Sequence, residues 1–147
     1  DCETIREMMQ HPRTLVGLGD GGAHCGVICD ASMPTTMLSH WGRDRSRGDR
    51  LPLEWLVRRQ TADNADYFGL SDRGRLAVGA RADINVIDFD NLRVELPRIV
   101  HDLPAGGRRL IQEAVGYDAT IVAGELVSQA GELTGARPGK VIRGPQG

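Results

Sequence analysis

One short apolar run, TLVGLG at residues 14–19, constrains this chain more than any other feature. It is too short for a typical helix and does not alternate, so it reads as a strand buried on both faces. Strands of that kind belong to parallel sheets, and one strand is not a sheet. A carboxylate, Asp20, follows at once, then Gly21, Gly22 and His24. The C-terminal ends of parallel strands are where chemistry concentrates in barrels and open α/β sheets. An aspartate there can be a metal ligand, a general base for a metal-bound water, or simply the Asx turn that ends the strand. Gly21 and Gly22 would leave clearance for a substrate or metal beside it.

Around that run the pattern is helical. TIREMMQ at residues 4–10 predicts a short helix, or the end of a longer one, stopped by His11-Pro12. Residues 20–34 read as a loop, and MPTTMLSHW at 33–41 as a helical turn or two. After a charged loop at 42–50, Pro52 suits the first residue of a helix, with Glu54 in its first turn and Leu53, Leu56, Val57 and Gln60 on one stripe. Thr61 reads as the N-cap of a second helix at 62–68, stopped by Gly69.

The character changes near residue 70, dividing the chain into 1–70 and 71–147. Beyond it, glycines punctuate β-like runs at 76–78, 84–89, 120–123 and 126–129, with a tight turn at Asp72-Arg73-Gly74. Gly124-Glu125 predicts a two-residue hairpin turn with glycine first, the type II′ preference. Residues 97–117 carry the least pattern, and 108–115 fits a strand or a short helix equally.

Composition narrows the partners. With 147 residues the chain makes one domain or pieces of two, and 4% aromatic residues is thin for a self-sufficient core. A formal net charge of −2 gives no electrostatic footprint for nucleic acid or a membrane surface. No apolar stretch is long enough to span a membrane. Three cysteines, an odd number, read as reduced thiols, which predicts a cytoplasmic setting. The opening DCET, without methionine or signal peptide, predicts a fragment or processed product.

Two further clusters carry chemical types. His24, Cys25, Cys29 and Asp30 have zinc-ligating side chains, but the spacing lacks a second Cys or His pair, which favours unreactive thiols beside a structural histidine. Arg43 and Arg45, among Asp44, Arg47, Asp49 and Arg50, offer a fork for a substrate carboxylate or belong to a salt-bridged, solvated loop. His11 and His101 have no partner pattern. There is no nucleophile elbow, P-loop or dinucleotide fingerprint.

Three stretches together resemble the C-terminal part of the amidohydrolase superfamily: GLGDGGAH, PLEWLVRRQTADNADYFGLSDRGRLAVGARADINVIDFD and TIVAGELVSQAGELTGARPGKVIRG. Within it the chain looks most like the N-acyl-D-amino-acid deacylases. The most specific piece is Gly69-Leu70, Asp72-Arg73-Gly74, Gly79, Ala82-Asp83 and Asp88. The resemblance implies an α/β portion, the last strand and helices of a metal-dependent (β/α)8 barrel, followed by part of a small β-sandwich. It places Asp20 on the family's last-strand aspartate, the general base and acid, which in some members also touches the metal. His24, Arg43 and Arg45 are the candidate substrate-binding residues, an arginine fork at 42–50 being suited to a substrate carboxylate. Where this chain has Gly19-Asp20, family members usually show Ser-Asp.

The His-x-His motif and the other metal ligands of that family lie on earlier strands, absent here. The expectation is therefore a zinc enzyme only in the full-length protein, with no zinc and no activity in this chain alone. Its partners would be the missing N-terminal part, a small N-acyl amino acid, and further copies of itself covering unpaired strand edges. A β-rich interaction or oligomerisation module, and a cyclic-amide hydrolase of the same superfamily, are the competing readings.

Overall fold

A computed structural model of the chain describes residues 2–17, 19, 26–27 and 30–144. Helix α1 (Glu3–Gln10) ends where His11 turns to extended backbone before Pro12. Its Met9 packs against the core, while Ile5 and Met8 remain exposed. Residues 14–17 follow without any ladder pairing among the described residues, which corrects the strand expected there. A strand of this kind needs neighbours, and side chains replace them. The amide of Asn64 donates to the Val16 carbonyl at 3.0 Å, and Arg59 donates to the Thr14 carbonyl.

Helix α2 (Met33–Thr36) has proline in its first turn and passes directly into a π-helical segment, Met37–Asp44. The wide winding closes with Arg45 N–H donating to the His40 carbonyl at 2.8 Å. It buries Met37, Leu38, Ser39 and Trp41, and the Ser39 hydroxyl returns to the Thr35 carbonyl at 3.0 Å. Helical structure thus runs past Trp41 into the stretch expected to be loop.

Helix α3 (Leu53–Gln60) begins directly after Pro52, whose ψ of 137° is not yet helical, so Pro52 precedes the helix instead of opening it. Leu56 is fully buried, whereas Val57 is 43% exposed, so the buried stripe is narrower than the sequence implied. Helix α4 (Ala62–Tyr67) follows Thr61, whose hydroxyl donates back to the Val57 carbonyl at 2.8 Å. The expected side-chain cap is therefore not made: an otherwise orphaned carbonyl in the last turn of α3 takes the hydroxyl first.

The remainder is antiparallel. Strands β1 (Ile84–Ile87), β6 (Tyr117–Val122), β7 (Glu125–Gln129) and β8 (Glu132–Leu133) form one sheet in the order β1-β6-β7-β8. Two ribbons lie between β1 and β6 in the chain. In one, β2 (Arg93–Val94) pairs with β5 (Ala114–Val115); in the other, β3 (Arg98–Leu103) pairs with β4 (Gly107–Ile111). The stretch with least sequence pattern is thus mostly hairpin. Residues 76–78 form no strand: Leu76 and Val78 are exposed and flanked by turns, with no pairing partner among the described residues.

The β6–β7 turn is also one residue earlier than expected. Val122 pairs with Glu125, so the turn is Ala123-Gly124, with φ of 51° and 84°. Positive φ at both positions is the type I′ signature, which matches the twist of the strands. The β7–β8 turn repeats the device with Ala130-Gly131. In both, glycine takes the second position freely and alanine bears the strain at the first.

The core joins the two halves across residue 70. Met37, Leu38, Trp41, Leu51 and Leu56 from the helical part bury with Leu92 from the turn after β1; Ile87, Phe89 and Tyr117 close one side. Polar contacts reinforce the join: the Thr35 and Tyr117 hydroxyls lie 2.8 Å apart, and the Ser32 hydroxyl donates to Gln112 at 2.5 Å. Asp83 accepts from the Ala123 N–H at 2.8 Å and pairs with Arg81. No helix among the described residues is long and apolar enough to cross a membrane.

Arginine–aspartate pairs give this fold a mild sensitivity to acid. Hydrogen bonds from Arg43, Arg58 and Arg109 hold Asp44, Asp63 and Asp102, respectively, below the usual carboxylate range. A depressed folded-state pKa contributes stability above the unfolded value, about 3.9, that is lost as pH falls through the folded value. The melting midpoint should therefore hold steady from neutral pH to about pH 5 and fall below about pH 4. Most of these pairs are solvent-screened, so the decline is shallow and salt should weaken it. A midpoint unchanged at pH 3 would show that the pairs contribute nothing.

Candidate functional site

Asp20 and His24, together with Cys25 and Cys29, lie outside the described residues. Gly19 is packed tightly: a Cβ on it would stand 2.7 Å from the Asp30 carbonyl oxygen. That distance leaves no room for a side chain unless backbone moves, which gives a local reason for glycine at this position. Residues 14–17 are held by Arg59 and Asn64 as described, and Gln60 reaches across to the Pro34 carbonyl at 3.4 Å. Between α1, these residues and the π-helical segment lies a cavity of about 610 Å³, with Ile5, Met8, Val16, Met37, Trp41 and Asn64 in its lining. Its wall is mostly apolar side chain, with Asn64 and Gln60 supplying amide groups at the α3–α4 end.

The arginines named from sequence are committed within the chain. Arg43 donates through Nε and Nη2 to Asp44 at 2.6 and 2.9 Å. Its other donors reach the carbonyls of Phe89, Asp90 (2.9 Å) and Leu92 (2.6 Å). It therefore clamps the turn after β1 onto the π-helical segment. The Arg45 side chain is 2% exposed, lies 4.5 Å over the Trp41 ring, pairs with Glu3 and donates to the Arg47 carbonyl at 2.7 Å. Burial of a guanidinium is tolerated because a carboxylate, a carbonyl and an aromatic face all meet it. These contacts use every donor of Arg43, whereas Arg45 keeps one buried donor, Nη1, without a hydrogen-bond partner.

The other named groups are scattered. His40 stacks edge-on against Trp41 with ring centroids 5.4 Å apart. His11 accepts from the Arg13 N–H at 3.2 Å, and His101 sits in the β3–β4 hairpin, 3.4 Å from the Gly106 carbonyl. A catalytic zinc takes about three protein ligands in an open site. Among the described residues no group of three or more His, Cys, Asp or Glu side chains gathers, so these residues do not fit such a centre.

Sequence reasoning passed over Arg59 and Asn64, which hold the backbone leading to Asp20. The only local signal was an asparagine in the middle of a short helix, where that residue is a poor choice.

The sequence model of the amidohydrolase family matches residues 2–128. The chain is 34% identical over 146 residues to an N-acyl-D-glutamate deacylase of Alcaligenes xylosoxydans xylosoxydans. That alignment covers 97% of this chain and 27% of the relative, so the chain spans about a quarter of the length of the protein it matches. No solved structure matches. With a family match running through the helical half, the core and most of the antiparallel sheet, the chain belongs to the amidohydrolase family.

Proposed function

We propose that these residues are the C-terminal part of a hydrolase that cleaves a linear amide, an N-acyl-D-amino acid, to a free amine and a carboxylate. The observation that carries this reading is the 34% identity to an N-acyl-D-glutamate deacylase, sustained over 97% of the chain. In this reading Asp20 is the proton carrier. Its carboxylate takes a proton from the attacking water and delivers it to the amide nitrogen, which must leave as a neutral amine. Gly19 abuts the Asp30 carbonyl, while Arg43 ties the turn after β1 to the π-helical segment and Arg45 ties that segment to α1. The ligands of any resident zinc would come from strands outside these residues, and the remainder of the same polypeptide is the partner that pairs with residues 14–17.

The test is direct. The whole hydrolase, incubated with an N-acyl-D-glutamate, should release free D-glutamate, detected as a new primary amine. Absence of amine release from this and from other N-acyl-D-amino acids, with a cyclic amide hydrolysed instead, would overturn the linear-amide reading.

A further inference from the structure

We propose that Arg108 binds the side-chain carboxylate of an acidic N-acyl-D-amino acid and so sets substrate preference; this rests on the linear-amide reading above. An N-acyl-D-glutamate brings two carboxylates into a site, and each must be met by a cation or by several donors. Arg43 spends every donor within the chain, and the Arg45 side chain is 2% exposed, so neither is placed to meet a ligand.

The β3–β4 ribbon stands at the C-terminal end of residues 14–19, the end at which barrels and open α/β sheets bind ligands. A short series of contacts puts it there. A Cβ on Gly19 would lie 2.7 Å from the Asp30 carbonyl oxygen, so the two ends of the loop between them meet. Two residues further on, the Ser32 hydroxyl donates at 2.5 Å to Gln112, directly after β4. The Thr35 and Tyr117 hydroxyls, 2.8 Å apart, continue the same seam. Near the other end of β4, Arg108 Nε lies 3.9 Å from the Cβ position of Gly26, which belongs to the loop itself. Strand β4 thus runs beside that loop from Gln112 to Arg108, about 13 Å of ladder.

Arg108 differs from the other arginines of its ribbon. Arg98 pairs with Glu113 at 2.8 Å, and Arg109 grips Asp102 through two bonds of 2.8 and 2.7 Å. The Arg108 side chain is exposed and makes no hydrogen bond or ion pair among the described residues. Gly26 presents no side chain to compete for its guanidinium, whose planar fork matches a carboxylate with two parallel bonds. The α-carboxylate of the substrate sits on the carbon that carries the scissile nitrogen and stays beside the reacting amide. The side-chain carboxylate extends away from that centre, toward the loop where Arg108 lies.

The experiment measures kcat and KM of the whole hydrolase on N-acetyl-D-glutamate and N-acetyl-D-glutamine, which differ in side-chain charge and little else. The parent should favour the acid through KM. Arg108→Gln should raise KM for the acid about 10- to 100-fold, leave KM for the glutamine substrate within about threefold, and change kcat little. Arg108→Lys keeps the charge without the fork and should recover part of the preference. Arg109→Gln, on the same strand but engaged with Asp102, should leave the preference as it is. A parent that takes both substrates equally would overturn the proposal, as would an Arg108→Gln variant that weakens both alike or neither. Failure of both Arg108 variants to melt cooperatively would also overturn it, by assigning the residue to folding. Release of no amine by the parent from either substrate would instead defeat the linear-amide reading and this inference with it, and that shows before any variant is made.

Discussion

Asp20→Asn in the whole hydrolase is expected to lower kcat by about 10²- to 10⁴-fold, the range removed when a positioned acid–base group is lost. The substitution is nearly isosteric, so packing at the end of residues 14–19 should survive and the melting midpoint should change little. The carboxylate, however, accepts a proton that the carboxamide cannot. Without that acceptor the attacking water must be deprotonated elsewhere, and the amine must depart without the proton that makes it a leaving group. KM should move less than kcat, because the proton transfer belongs to the transition state. Activity within tenfold of the parent would remove Asp20 from the mechanism.

The largest stability effect should come from Leu56→Ala. Leu56 is fully buried on α3, and a Cβ on Gly42 of the π-helical segment would lie 3.1 Å from its Cδ1 and 3.4 Å from Phe89 Cζ. The side chain therefore fills the point where α3, the π-helical segment and the turn after β1 converge. Truncation should cost about 2–5 kcal/mol, combining lost transfer energy with a cavity that three rigidly tied elements cannot collapse. Val57→Ala on the same helix is the internal control: its side chain is 43% exposed, and the change should cost less than about 1 kcal/mol. Denaturant midpoints of the two variants decide the matter. Equal losses would mean that α3 packs through a different face.

What could be read from the sequence was what local rules encode. The existence of α3, the stop at Gly69, the strand from Ile84 and the β6–β7 hairpin all depend on residues within a few positions of each other. The family was legible as well, in the passage from Gly69 to Asp88, whose Asp83 turns out to hold the Ala123 N–H.

The errors have physical causes of the opposite kind. Leu76 and Val78 read as strand because they are apolar, but a strand needs a partner, and none pairs with them among the described residues. The hairpin turn slipped by a residue because alanine at positive φ defies its own propensity and is held there by the pairing on either side. The π-helical winding leaves no periodic signature in eight residues. Arg43 reads as a solvated or ligand-facing charge because its carbonyl partners, Phe89 to Leu92, lie far along the chain. The candidate site was the least legible part: Asp20 stood out by its place after an apolar run, whereas Asn64 and Arg59 act on backbone, and backbone acceptors have no sequence signature.

The paired Ala-Gly turns have a consequence for the order in which this fold assembles. Strands β6, β7 and β8 form a meander whose contacts all lie close in sequence, and each turn is already chosen by its own residues. Hairpins of that kind form in about 1–10 μs. Strand β1 joins the same sheet only through pairs such as Ile84 with Ile121, which requires closing a long excursion that contains both ribbons. The entropy of that closure must be met before the β1 contacts form, so β1 and the helices behind it should arrive last. The element that Arg43 clamps, the turn after β1, is thus the final seam of the fold, and refolding rates should register damage there less than unfolding rates do.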